Sequence, residues 1–353
     1  MKREGDARIM RDPFVPSLLS RVDRSDVYSS YAEWPDLAAR GYSSDAYKPR
    51  GAHRRLAVLG MGGSASAGDI ISSWLAARGG PETAVYKGSV PPMDMKGTLA
   101  IACSASGGTA ETIQMTKAAL ANGADVVGVS SGGRLREVVE GAGMAHIPVP
   151  DAKAPRYMLP FMLFACVGVV NAAFGLSADG EVRDALASLG RVWAGARAEV
   201  SPPLNASKAL ALGLWKRTPK VYGTRVTRGV GVRFCNAVNE NAKQNAFFEE
   251  APEALHNDVE TWETPHPAFS PLILNCSADD RALAAGLGLF ASALRRKVAA
   301  VLTAEGERGP PLTELVSLAY RLDMASYYMA VARGVDPLPT RLLTSLRHRL
   351  GST

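Results

Sequence analysis

The chain has 353 residues, a length that calls for two domains or one large two-lobed unit. Hydrophobic residues make up 47% and charged residues 21%, which supplies two cores and excludes extensive disorder. The net charge of +6, from 40 Lys and Arg against 34 Asp and Glu, is scattered without a basic run, so it permits an anionic ligand and gives no reason to expect nucleic acid.

Residues 1–50 show no strand pattern, and PSLLSRV and YAEWPDLAARGY predict an N-terminal helical arm. Arg54–Gly60 is then a short apolar run ending in glycines, the pattern of a buried parallel strand. A helix is predicted over Ser64–Arg78. Strands follow at Thr83–Lys87, Leu99–Cys103, Asp125–Val129 and His146–Val149, with helices at Thr109–Asn122 and Arg134–Gly141 between them. That alternation implies a parallel sheet covered on both faces. The apolar stretch Tyr157–Phe174 contains Pro160 and Asn171 and falls short of ~20 clean apolar residues, so a buried helix is expected and no membrane partner.

Ser201–Asn205 (SPPLN) reads as a linker. Beyond it the alternation restarts: a strand at Lys220–Gly223, a helix at Arg233–Lys243, strands at Leu272–Asn275 and Val298–Leu302 with a helix at Arg281–Arg295 between them, and helices at Thr313–Arg333 and Thr340–Leu350. The expected fold is α/β, in two similar units: an arm over 1–50, a first unit over 51–200 and a second over 201–353. Four cysteines (Cys103, Cys166, Cys235, Cys276) stand far apart without a CxxC pair, so neither a disulfide framework nor a zinc site is expected, and the compartment is a reducing cytoplasm.

Ligands of such sheets bind beyond the carboxyl ends of strands. Gly60–Gly68 (GMGGSASAG) follows the first strand, where glycines let backbone approach a ligand and a helix start offers free N–H groups. The same run fits GxGxxA, but a dinucleotide site expects an acid at the end of the second strand, and that strand ends in Tyr86-Lys87-Gly88. The plain alternative is a tight turn. Cys103–Thr112 (CSASGGTAET) places three hydroxyls and two glycines at a strand-to-helix junction, suited to a phosphate monoester. An N-capping turn would use one hydroxyl and not three. Asn239-Glu240-Asn241-Ala242-Lys243, followed by His256-Asn257, supplies a carboxylate and an imidazole, the two commonest proton-transfer groups, although a solvated Glu and a loop His would look the same. Arg156, in Pro155-Arg156-Tyr157, precedes an apolar helix, a position its charge disfavours.

In this order and spacing, GMGGSxxAG, SxSGGTxET, PRYxxP, NENxK with HN, and RGVDPxPT are similar to the archaeal-type bifunctional phosphoglucose/phosphomannose isomerases, over about residues 50–350. The resemblance implies two SIS-type doubly wound, flavodoxin-like parallel-sheet subdomains with C-terminal helices, and an aldose–ketose isomerase acting without metal or cofactor through a cis-enediol. It implies that Gly62, Gly63, Ser64, Ser104, Ser106 and Thr109 hold the sugar phosphate. Glu240 would be the base, and Arg156 would stabilise the intermediate. His256, entering from the neighbouring subunit of a homodimer, would assist ring opening. Thr340 would admit both glucose and mannose epimers. Two positions depart from the family pattern: Gly108 stands where Asn is usual, and Arg347 where a ring-opening Lys is expected, with His348 about 100° around the helix. The Arg347 departure favours a rival reading, a sugar-phosphate-binding regulator or pseudoenzyme on the same fold. Glu240 and His256 oppose it.

Overall fold

The computed structural model describes residues 14–42, 47–48, 50–88, 90–91, 93–264 and 267–349, with the side chains of Arg347 and His348 outside that description. Three short helices, α1 (Pro16–Val22), α2 (Val27–Ala32) and α3 (Trp34–Tyr42), precede the first sheet. Phe14, Tyr31 and Trp34 of this segment are buried, and Trp34 stacks on Tyr320 at 4.7 Å between ring centroids. The described part of the arm is therefore packed into the body of the protein.

The first sheet contains β1 (Arg55–Gly60), β2 (Glu82–Tyr86), β3 (Thr98–Ser104), β4 (Asp125–Ser130) and β5 (Ala145–Pro148), all parallel in the order β2-β1-β3-β4-β5. This is the flavodoxin-like order, whose switch point lies between β1 and β3. The crossovers are α4 (Gly62–Arg78), α5 (Ala110–Ala121) and α6 (Gly133–Gly141). Two long helices follow, α7 (Leu159–Phe174) and α8 (Asp179–Ala196). The stretch Pro155–Phe174 is long and apolar enough to cross a membrane, but it is mostly buried in the chain's own core, against α3 and α4.

The second sheet repeats the topology with one strand fewer. Its strands are β6 (Thr218–Gly223), β7 (Phe247–Glu250), β8 (Phe269–Asn275) and β9 (Leu302–Glu305), parallel in the order β7-β6-β8-β9. Its helices are α9 (Ala206–Leu214), α10 (Arg228–Ala237) and α11 (Arg281–Leu294), followed by α12 (Pro311–Ala332) and α13 (Arg341–Arg349). Nearly every residue of α12 is buried, and it packs on α8, α9, α10 and α4, so one continuous core joins the two sheets.

Four elements differ from the sequence expectation. The SPPLN linker ends in the N-cap of an unexpected helix: the Asn205 side chain accepts from the Lys208 N–H at 3.0 Å and starts α9. The last strand is Leu302–Glu305 and not Val298–Leu302. Residues 296–298 continue the hydrogen bonding of the α11 end, and Val298 and Val301 pack on the outer face cluster without joining the ladder. Strand β7 was not anticipated at all. The helix expected over Arg233–Lys243 begins earlier, at Arg228, and closes in a π-helical turn, Val238–Ala242, after which Lys243 adopts a left-handed conformation with φ 52°.

Candidate active site

The two loops of interest flank the β1/β3 switch point. Met61 precedes α4 and Thr109 precedes α5, and neither helix start is capped by a side chain among the described residues. The Thr109 hydroxyl oxygen accepts from the Ser104 hydroxyl at 3.0 Å, so it does not close off the amides of α5. The Ser64 hydroxyl oxygen accepts from the Ala105 N–H at 3.2 Å and ties the first loop to the second. Ser106 accepts from the Gly108 N–H at 3.3 Å. Ser64 and Ser104 are buried, whereas Gly62, Ser106 and Gly108 are exposed. Two uncapped helix N-termini and a ring of hydroxyls at one crevice make a site for a compact anion.

Gly107 fixes the shape of this crevice. Its φ is +67°, and a Cβ there would come within 1.9 Å of the Gly132 carbonyl oxygen. Its own carbonyl accepts from the Leu135 N–H at 2.9 Å. Gly63 abuts the next part of the site, since a Cβ on it would lie 3.2 Å from the Arg156 Cα.

Arg156 sits in a 3-10 turn, Pro155–Met158, just before α7, and is 4% exposed. Its Nη1 lies 3.1 Å from Glu240 Oε2, its Nε donates to Asn241 Oδ1 at 3.0 Å, and its Nη2 donates to the carbonyl oxygens of Pro337 and Leu338 at 2.9 and 2.8 Å. The guanidinium also lies over the Tyr157 ring, 4.6 Å from its centroid. Three motifs far apart in the chain, PRY, NEN and RGVDPLPT, thus meet at one cation. This accounts for a charge that looked misplaced at a helix start.

Asn241 holds the cluster together. Its Oδ1 accepts from Arg156 Nε and from the Tyr157 hydroxyl at 3.1 Å, and its Nδ2 donates to the Tyr31 hydroxyl and Ser326 Oγ, both at 2.8 Å. Two donors and two acceptors are all filled, and the residue is fully buried. Beneath it, Arg233 pairs with Asp323 through Nε at 3.1 Å and Nη2 at 2.5 Å, and Nη2 also donates to the Arg156 carbonyl at 3.0 Å. Burial alone would lower the Arg233 guanidinium, but the Asp323 carboxylate outweighs it and holds the charge. Lys243 donates to the carbonyl oxygens of Glu240 and, at 3.0 Å, of Pro337. Its ammonium is pushed down to about 8, first by desolvation among these carbonyls and then by the Arg156 charge.

Glu240 is part-exposed at the mouth of this cluster. Thr340 follows the Pro337–Leu338 segment and accepts from the Thr344 N–H at 2.9 Å, starting α13. Arg347 falls within α13, but its side chain lies outside the described residues. His256 makes no hydrogen bond or ion pair with Glu240 among the described contacts. Glu240 precedes β7 in the chain and exposed His256 follows it, after the 3-10 turn Glu253–Leu255. The sequence motifs named Asn241 and Lys243 without a role and missed Arg233, Asp323 and Tyr31. The charge pattern gave no sign of them, because their partners lie up to 210 residues away.

The second sheet has the corresponding crevice between β6 and β8, and it is filled from inside. The Ser277 N–H donates to Glu314 Oε2 at 2.8 Å and its hydroxyl donates to the same carboxylate. The Thr224 hydroxyl donates to Asp279, whose Oδ2 accepts from the Cys276 N–H at 3.3 Å. Burial, with the Glu314 charge behind it, pushes the Asp279 carboxyl upward. Two carboxylates occupy the place where the first sheet has open amides and hydroxyls.

Residues 204–350 match the family described as the bacterial phospho-glucose isomerase C-terminal SIS domain. A bifunctional phosphoglucose/phosphomannose isomerase of Caldicellulosiruptor bescii is 27% identical over 308 residues, 84% of this chain and 89% of that protein. A D-glucosamine-6-phosphate 4-epimerase of Sulfolobus acidocaldarius is 27% identical over 262 residues, 72% of this chain and 79% of that protein. Among solved structures, a glucose-6-phosphate isomerase like protein from Thermus thermophilus superposes with a TM-score of 0.63 at 22% identity, covering 96% of this chain and 99% of that one. The chain therefore resembles the bifunctional isomerases over most of its length and has the SIS-type fold of paired parallel sheets.

Proposed function

We propose that this SIS-domain protein is an aldose–ketose isomerase that interconverts glucose 6-phosphate and mannose 6-phosphate with fructose 6-phosphate, its catalytic unit a homodimer in the cytoplasm. The observation that carries the reading is Arg156 itself, whose guanidinium meets Glu240 and whose backbone abuts the Gly63 loop. On this reading Glu240 is the base, Arg156 the fixed cation and the neighbouring loop the anion site, the three parts such a reaction needs.

The first subdomain, 51–200, would hold the phosphate through the amides and hydroxyls of Gly62, Gly63, Ser64, Ser104, Ser106 and Thr109. Distance from the reacting carbons makes this an anchor that orients C1 and C2. Glu240, from the second subdomain, 201–353, takes the proton from C2 of the open-chain aldose. The C–H electrons form the C1–C2 double bond, and the carbonyl oxygen gains the charge that Arg156 faces. The hydroxyl proton on O2 passes to O1, and Glu240 returns its proton to C1, so that the C1–C2 electrons form the new C1–H bond and C2 becomes the ketose carbonyl. Thr340 lies beside the sugar carbons and leaves room for both C2 epimers. His256 of a second copy assists ring opening, and Arg347 donates a hydrogen bond where a lysine would shuttle a proton. With Arg156 fixed at the oxyanion, the step needs no metal ion.

The test is conversion of fructose 6-phosphate in D2O with and without EDTA, followed by NMR. The reading expects deuterium at C2 of both aldose phosphates, a rate unchanged by the chelator, and loss of orders of magnitude in Glu240→Gln. Exchange confined to C4 would favour epimerase chemistry of the kind its Sulfolobus relative is named for. Binding of fructose 6-phosphate without turnover would favour a regulator. Mixing Glu240→Gln with His256→Ala should regenerate about one quarter of the wild-type sites if random exchange gives mixed dimers, each with one intact site.

A further inference from the structure

The N-terminal arm meets the active-site cluster through one short stretch, residues 23–31. Its helix α2 has six residues, too few to stand alone, so outside ties set its place. The buried Asp23 carboxylate accepts from the Val27 and Tyr28 N–H groups, both at 2.8 Å, and from the Tyr327 hydroxyl at 3.1 Å, which starts α2 and pins it to α12. Tyr31 is fully buried, and its carbonyl accepts from the Tyr320 hydroxyl. Two side chains of this stretch then reach Arg156 by three routes. The Tyr31 hydroxyl accepts from Asn241 Nδ2 at 2.8 Å, and Oδ1 of the same amide accepts from Arg156 Nε. The Tyr31 ring meets Tyr157 edge-on, centroids 5.5 Å apart, and Tyr157 carries the guanidinium on its face. The Ser25 hydroxyl donates to Asp336 Oδ2 at 3.1 Å, and Asp336 Oδ1 accepts from the Leu338 N–H at 3.1 Å. That fixes the turn whose Pro337 and Leu338 carbonyls accept from Arg156 Nη2.

We propose that α2 and the turn before it are the positioning element of the Arg156 guanidinium, with Tyr31, Ser25 and Asp336 as positioning residues that keep it aimed at the reacting oxygen. Each neutral acceptor of the guanidinium, Asn241 Oδ1 and the Pro337 and Leu338 carbonyls, is backed by a residue of the arm. A fixed charge stabilises an oxyanion only where it stands in place before the charge forms, and a displacement near 1 Å costs about 10²-fold in rate. Packing alone would be served as well by Phe at position 31; the hydroxyl is what reaches Asn241. The effect on rate rests on the isomerase reading; the effect on the guanidinium does not.

Tyr31→Phe removes that hydroxyl and keeps the ring. It should lower kcat for fructose 6-phosphate about tenfold with KM within about twofold. Asp336→Ala should do the same, and Asp336→Asn, which keeps an acceptor for the Leu338 N–H, should recover part of the rate. Tyr328→Phe deletes a comparable buried hydroxyl, which donates to the Ala196 carbonyl at 2.6 Å, and should leave kcat unchanged. In an Arg156→Lys background Tyr31→Phe should cost little more, because its route to the site is already cut. The Arg156 Nε–Hε NMR resonance, assigned by its loss in Arg156→Lys, should shift or exchange faster with water in Tyr31→Phe and in Asp336→Ala. A kcat loss in Tyr31→Phe no greater than in Tyr328→Phe, an equal loss in the Arg156→Lys background, or an unmoved Nε–Hε resonance would overturn the proposal. A resonance that moves in a protein that does not turn over fructose 6-phosphate would sink the isomerase reading and leave the positioning of Arg156 standing.

Discussion

The Arg156 guanidinium and the Glu240 carboxylate stand 3.1 Å apart, joined across 84 residues of sequence. Arg156 commits its other nitrogens to Asn241, Pro337 and Leu338, so its position is set before any ligand arrives. Arg156→Lys keeps the charge but supplies neither the fork nor the reach for four acceptors. Its kcat is expected to fall about 10²- to 10³-fold, the cost of one misplaced oxyanion donor, with KM for fructose 6-phosphate little changed. An unchanged kcat with a raised KM would show that Arg156 serves binding alone.

Asn241 is the hinge of the same network, with all four of its hydrogen-bonding positions filled in a fully buried site. Asn241→Ala removes a shared partner from Tyr31, Tyr157 and Ser326. Urea denaturation should register a loss of about 2–4 kcal/mol, the sum of a small cavity and unsatisfied buried groups. A loss below about 0.5 kcal/mol would mean that water replaces the amide at little cost.

Gly107 tests the anion crevice without touching the reacting groups. A methyl group at φ +67°, aimed at the Gly132 carbonyl 1.9 Å away, forces the loop outward. Gly107→Ala should raise KM and weaken inorganic phosphate as a competitive inhibitor about tenfold or more, while stability falls by about 1–2 kcal/mol. Unaltered phosphate inhibition would place the anion elsewhere.

Lys243 gives a pH signature. Its ammonium in the folded chain is pushed down to about 8, below the ordinary lysine range near 10.5. Between those values the unfolded chain binds the extra proton, so stability rises with pH through that window. Wild type should gain stability relative to Lys243→Met between about pH 8 and pH 10, as measured by the urea midpoint at each pH. A flat difference would show that the ammonium is solvated in the folded protein.

The order of strands and helices was readable because buried parallel strands are short apolar runs, as in RLAVLG and TLAIACS. Strand β7 was not, because FFEE is four residues at a sheet edge, half-exposed, with acids where alternation would show. The π-helical turn that presents Glu240 also leaves no mark, since its pattern continues that of α10. The anion loops were legible as local glycine and hydroxyl patterns. The cluster behind them was not: Tyr31, Arg233, Asp323 and Ser326 look like ordinary helix positions until the fold brings α2, the Pro155–Met158 turn and α12 to Asn241 and pairs Arg233 with Asp323. The SPPLN linker hid the start of α9, because the Asn that ends a turn is also the residue type that caps a helix.

The carboxylates of Glu314 and Asp279 sit in the crevice of the second sheet on tethers a few bonds long. A group held this way acts at an effective concentration that no dissolved anion reaches, so the second crevice is saturated whatever the phosphate level of the medium. On the proposed reading the two crevices differ in the source of their anion: one carries its own carboxylates by covalent attachment, and the other draws its anion from solution. On the proposed reading, titration calorimetry should count one phosphosugar per chain even in a large excess of ligand.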